Sequence, residues 1–249
     1  MKKKVLSVFL SICMIVSCMV GISITAGADG SVSFLDANGT MESCTTYTSV
    51  TYTTTVWSTG WYVVDSDTPI SDRVTVTGDV NLILCDGKTL TVPSGINVEG
   101  TNKLTIYAQS TGSTMGALTA TGTYNTAGIG GGISEAGGNI TINGGVVEAN
   151  GGWAGDGIGG GKGGADSNIT INGGVVVANG GQFGAGIGGG ASGGAGGTIK
   201  ILGGQVTAIA GIEASAVGAG WHASGAGITL GWTNADGFID ARGTYKGTV

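Results

Sequence analysis

Short runs in which apolar and polar residues alternate recur along this chain. Ile140-Thr-Ile142, Val147-Glu-Ala149, Ile169-Thr-Ile171 and Val176-Val-Ala178 each set two apolar side chains two positions apart. That spacing puts both on one face of a β-strand and turns the residue between them outward. Two apolar columns follow. One runs Val74, Ile96, Leu118, Val147, Val176 and Val206, with companions Val76, Val98, Ala120, Ala149, Ala178 and Ala208. The other runs Leu82, Leu104, Ile140, Ile169, Ile199 and Ile228, with companions Leu84, Ile106, Ile142, Ile171, Ile201 and Leu230. Each inward Ile, Leu or Val contributes roughly 1.5–3 kcal/mol when fully buried, enough in sum to offset the ordering of a glycine-rich backbone.

The columns are products of internal repetition. Ile140 to Gly161 reads ITINGGVVEANGGWAGDGIGGG and Ile169 to Gly190 reads ITINGGVVVANGGQFGAGIGGG, an offset of 29 residues. A third, worn copy begins at Ile199, and upstream the period contracts to 22, with Val74, Ile96 and Leu118 in equivalent places. Periods of this length belong to solenoids, in which each repeat is one coil stacked on the next. The expected fold is therefore all-β, a single-stranded parallel β-helix of about six to seven coils of 22 to 30 residues. Fifty-three glycines against two prolines mark the corners, where positive φ or close backbone approach is needed. They do not recur every third residue, so collagen is excluded. Asn143 with Asn172, and Asn150 with Asn179, are placed to stack as amide ladders at the corners.

Lys2 to Lys4, the apolar stretch Val5 to Ile24 and the small residues Ala26-Gly27-Ala28 form a secretory leader. The reading divides the chain into a signal peptide over 1–28, an N-terminal β cap over 29–64 rich in Thr and aromatics, and a β-helix with its C-terminal cap over 65–249. An extracellular location, in the medium or at the cell surface, follows from the leader. Without the leader lysines the chain has seven Lys or Arg against sixteen Asp or Glu, a balance of −9. Nucleic acid and, once the leader is removed, an anionic membrane are thereby excluded as partners, because both select basic surfaces. Of four cysteines, Cys13 and Cys18 leave with the leader. Cys44 and Cys85 then either form a disulfide or sit apart as small buried hydrophobes.

Three aromatic residues, Tyr124, Trp153 and Phe183, recur at 29 and 30 residues. They should lie at one corner of successive coils, with rungs about 4.8 Å apart. Such a strip suits the flat faces of sugars, with Glu148, Asp156 and Lys162 as candidate polar partners. Gly151 to Gly159 approaches a calcium-binding nonapeptide through Asp156, but the next coil has Ala185 at that place, so calcium finds too few oxygens. No cofactor and no metal site is expected. The AGIGGG runs lack the following helix that a dinucleotide loop requires. Asp65, Asp67, Asp72 and Arg73 near the cap, and Asp236 with Asp240 at the far end, have the local spacing of turn formers rather than of a catalytic set. His222 has no nucleophile at a telling spacing.

The stretch GWYVVDSDTPISDRVTVTGDVNLILCDGKTLTV, followed by INVEG, LTIYAQ and the AGIGGG and ITINGG repeats, resembles a group of exported right-handed β-helix proteins of the pectate-lyase-like superfold. These come from anaerobic, often gut-dwelling bacteria and are frequently described as carbohydrate-binding or adhesin-like. The resemblance spans roughly Gly60 to Gly220. It implies a binding or adhesion module with polysaccharide or surface glycan as its partner; the chain is expected to be a monomer and, with Glu148 the one outward acid of the repeats, not an enzyme. A purely structural surface or matrix protein is the alternative, with a polysaccharide lyase or hydrolase behind it.

Overall fold

A computed structural model describes residues 30–165, 167–193, 197–224, 226–232 and 237–244. The leader over 1–28 and Asp236 lie outside the described residues. All regular structure in the described residues is β-strand, and apart from one hairpin every strand pair in the ladders is parallel. The chain is a parallel β-helix with three walls.

The first wall is a seven-stranded sheet that includes Thr89–Val92, Ala117–Thr121, Val146–Asn150, Val175–Asn179 and Gln205–Ile212. The other two walls share one sheet, because the strand Val74–Leu84 turns a corner without interruption. Its start pairs with Ile96–Asn97 and its end with Lys103–Ala108. Beyond it the second wall continues through Ile129–Gly130, Ile158–Gly159, Ile187–Gly189 and Val217–Ala219. The third continues through Asn139–Ile142, Asn168–Ile171, Thr198–Ile201 and Gly227–Leu230.

Inside, the columns are dry. Leu90, Leu118, Val147, Val176 and Val206 stack along the first wall, Ile96, Ile129, Ile158 and Ile187 along the second, and Leu104, Ile140, Ile169 and Ile199 along the third, all with at most 1% exposure. From Leu118 onward the first expected column is correct. Upstream it needs correction. Leu118 lies over Leu90, not Ile96, and Ile96 continues to Ile129 on another wall. Likewise Leu82 pairs with Ile106, while Val80 pairs with Leu104. The physical reason is that a slip of two residues leaves every side chain on its original face, so alternation detects odd slips and is blind to even ones.

The segment 29–64 is more than a cap. Val56–Val64 is already a strand of the larger sheet, parallel to Val74–Leu84, and Thr48–Ser49 pairs in parallel with it. Trp57, fully buried and donating its indole N–H to the Thr54 carbonyl at 2.9 Å, fills the N-terminal end of the core beside Tyr62. The antiparallel hairpin of Val32–Leu35 and Met41–Cys44 packs on the outside of the sheet, with Phe34 against Trp61 and Tyr107. At the other end Ile228 and Leu230 continue the third-wall columns but are 47% and 50% exposed.

Candidate functional site

The aromatic corner is built by the turns that follow the first wall. Tyr124, Trp153 and Phe183 occupy that corner in three successive coils, as their spacing predicts. Trp153 stacks on Tyr124 with centroids 5.5 Å apart and planes 14° from parallel. Phe183 meets Trp153 at 4.7 Å and 80°, nearly edge-on.

The sequence reading missed a fourth member. Trp221 approaches Phe183 to 5.2 Å, with His222 against it at 4.0 Å. Trp221 escapes the 29-residue spacing because it comes from the turn after the second wall. Its backbone N–H donates to the Phe183 carbonyl at 3.0 Å, which shows that the two turns meet at one edge of the solenoid. The same meeting of turns occurs one coil earlier, where the N–H of Ala191 donates to the Ala154 carbonyl at 3.3 Å.

Polar groups hold the rings. The Trp153 indole donates to Gln182 Oε1 at 2.8 Å and the Trp221 indole to Glu213 Oε2 at 2.9 Å. Lys162, exposed, sets its Nζ 6.0 Å from the Trp153 ring centre, a cation–π distance. Glu148 lies exposed on the strand leading into this corner and accepts from the Asn150 amide at 3.2 Å.

Asp156 corrects the sequence reading. It is fully buried: Oδ2 accepts from the Gly160 N–H at 2.9 Å and Oδ1 from the Ala185 N–H of the next coil at 2.7 Å. A carboxylate turned inward to bind backbone is unavailable to a sugar or to calcium from solution. The Asn143–Asn172 and Asn150–Asn179 amide ladders form, with side-chain bonds of 2.8 and 2.7 Å.

Cys44 and Cys85 are not joined in a disulfide; both are free thiols, and Cys44 Sγ donates to the Thr46 carbonyl at 3.2 Å. Burial, then the nearby carboxylates of Asp65 and Asp86, pushes the Cys85 thiol up to about 11, so it stays protonated and inert at neutral pH. The acids near the cap are engaged in local structure. Asp65 accepts from Ser49 at 2.6 Å and Asp67 from the Thr89 N–H at 2.9 Å. Asp240 pairs with Arg242, whose Nε donates at 2.9 Å.

Sequence reasoning also missed the assembly of Arg73, Glu99 and Glu135. The Arg73 guanidinium sits among acceptors from two later coils: Nη1 donates to Thr126 Oγ1 at 2.7 Å and to the carbonyls of Ser94 and Ala127, and Nη2 to those of Gly130 and Gly131. Burial lowers its pKa to about 10, with Glu135 and Glu99 acting in the opposite sense. Glu99 bridges to Gly137 through the backbone, which brings it beside Glu135. Glu99, then burial, raises the Glu135 carboxyl above the ordinary value, and Glu99 Oε2 is buried without a hydrogen-bond partner among the described residues. Nothing in the repeat pattern marks either glutamate, since the next two coils carry Gly164 and Gly193 at the place of Glu135.

Comparison with known proteins adds the fold alone. The family described as beta helix repeat matches residues 140–162 and 169–191, the two best-preserved coils. No curated protein matches the chain, and no solved structure does.

Proposed function

We propose that this chain is an exported carbohydrate-binding or adhesion module, acting in the medium or at the cell surface on polysaccharide or surface glycan. The observation that supports it is the aromatic edge. Four rings, with Tyr124 68% and Trp153 39% exposed, lie side by side on a rigid scaffold. Preorganised aromatic surface binds ligands without first losing side-chain freedom, and pyranose C–H faces pack on such rings while hydroxyls find polar groups at the border. Lys162, Gln182 and Glu213 are exposed polar groups beside the rings.

A glycan array printed with plant, mucin and bacterial glycans tests the reading. A signal from the natural chain that disappears in the Tyr124→Ala, Trp153→Ala double variant, with its circular dichroism unchanged, is the expected result. Silence over the whole array overturns it and leaves a structural surface or matrix protein.

Glycan cleavage is the second reading, because the backbone bridge between Glu99 and Gly137 brings the Glu99 and Glu135 carboxyls into one neighbourhood. Their setting speaks against it. Glu99 Oε2 is buried, whereas glycoside hydrolysis needs two carboxyls open to the scissile bond. Reducing-sugar release, or new ultraviolet absorbance from uronate polymers, that is lost in Glu135→Gln would reinstate it.

A further inference from the structure

The angles between the rings decide how a glycan can use them, an inference that rests on the carbohydrate-binding reading above. Rings stacked along the solenoid axis cover one another. Trp153 has Tyr124 on one side and Phe183 on the other, with Lys162 also against it. Phe183 lies between Trp153 and Trp221, and Trp221 is held by Phe183, His222 and its bond to Glu213. Tyr124 alone has a single ring partner, and it is the most exposed of the four. Its phenol oxygen makes no hydrogen bond among the described residues.

The reason lies in the preceding coil. There the chain passes from Val92 to Ile96 through Pro93, Ser94 and Gly95 only. That short corner sits directly over Ala127 and Gly128, since a side chain at Gly95 would come within 2.8 Å of the Gly128 carbonyl. The added residues from Gly122 to Thr126 therefore project beyond the coil above, and Tyr124 forms a shelf on the resulting step. Arg73, donating to Thr126 Oγ1 at 2.7 Å and to the Ser94 carbonyl at 3.2 Å, fixes shelf and riser together. The riser is polar: Ser71 and Asp72 are exposed, and Ser94 Oγ donates to the Ser71 carbonyl at 2.7 Å.

We infer that a terminal neutral pyranose stacks on the outer face of Tyr124, against the Ser71–Asp72–Ser94 step, rather than a glycan chain lying along the aromatic column. An exposed ring on the turn that Arg73 ties to the Ser94 corner, with hydroxyls and a carboxylate on that corner, suits one uncharged sugar. Asp72 and the acidic balance of the chain, formally −6 at pH 7, disfavour uronates and sialic acids. One shelf makes the site short, so affinity is complete once the terminal one or two sugars are present.

The test is an array of cello-, xylo-, manno-, galacto- and chito-oligosaccharides of two and six units, with oligogalacturonates alongside, probed with the full chain and with Tyr124→Ala, Tyr124→Phe and Trp221→Ala. The expected result has four parts. Disaccharide and hexasaccharide of the preferred neutral series bind within threefold of each other. Tyr124→Ala loses at least tenfold, Tyr124→Phe keeps most of the binding, and Trp221→Ala loses less than threefold. Equal losses in Tyr124→Ala and Trp221→Ala, a signal that climbs strongly from two to six units, or a preference for oligogalacturonates overturns the shelf while leaving carbohydrate binding intact. Silence from every neutral and acidic series defeats the carbohydrate reading itself, and the shelf with it.

Discussion

The coils before Leu118 and those after it solve the same problem in different ways. In the first group Val74 and Ile96 are separated by 22 residues and the corners are tight. In the second, Ile129, Ile158 and Ile187 recur at 29, and the added residues form the glycine-rich turns that carry the rings. The interiors are alike, aliphatic and closed to water. The corners differ. On the second wall the residue paired through successive coils is Asn97, then Gly130, Gly159 and Gly188. The short coils tolerate a side chain there, while the long ones bring backbones so close that none fits. The difference teaches that this solenoid varies its outside while keeping its inside constant, and that the exposed ring of Tyr124 stands where the two kinds of coil meet.

Substitution at that position breaks the comparison most severely. Gly159 has φ +143°, and a Cβ built on it runs into the Gly188 carbonyl. Gly159→Ala should cost at least about 3 kcal/mol, from strain and clash together, and lower the midpoint of thermal unfolding by about 6–12 °C. Asn97→Gly, at the same place in a short coil, should cost no more than about 1 kcal/mol. Urea melts of both variants test the contrast, and equal costs would mean that the two kinds of corner do not differ in backbone approach.

Core truncation should be indifferent to which kind of coil it falls in. Leu104→Ala and Ile140→Ala, neighbours on the third wall and both essentially inaccessible to water, should each cost about 2–5 kcal/mol. A large gap between them in denaturant melts would show that the long coils pack more loosely inside as well as differing outside.

The interior was legible because alternation is enforced at every rung. Ile140, Ile142, Ile169 and Ile171 could be placed from their spacing alone, and the 29-residue copies brought Tyr124, Trp153 and Phe183 together. Legibility ended where repetition ended. Trp221 reaches the column from another corner, Leu118 belongs over Leu90 because the intervening coil changes length, and Arg73, Glu99 and Glu135 meet without any repeat among them. Asp156 was misread for a different reason. A glycine-rich turn places no restriction on whether an acidic side chain points out or in, and the unpaired N–H of Ala185 in the next coil drew it in.

Asp156 also separates two long coils that are otherwise near copies, since Ala127 and Ala185 stand at its place above and below. Asp156→Ala should cost about 1–3 kcal/mol, because the Ala185 N–H loses its carboxylate acceptor. Hydrogen exchange at the Ala185 amide is the direct measurement. Faster exchange there than in the natural chain is expected, and unchanged protection would show that the carboxylate is not what holds these coils in register.

The smallest effect sits at the seam itself, where Glu99 of the last short coil bridges through its backbone to Gly137, two residues beyond Glu135 of the first long one. Glu99, with burial second, raises the Glu135 carboxyl above its ordinary value of 4.5 in the folded chain. A raised folded value means that the proton stabilises the fold. The contribution is fully present below the unfolded value and is lost as pH rises through the folded one. The natural chain should therefore lose a little stability between about pH 4.5 and neutrality that Glu135→Gln does not lose. Glu135 is largely solvated, so the difference between the two chains should stay under about 3 °C in the unfolding midpoint. Melting both across that range isolates the seam from the general acidic charge, which the two share apart from this one group. A difference that grows toward acid instead would mean that the ionised pair, held by Arg73, is the more stable form.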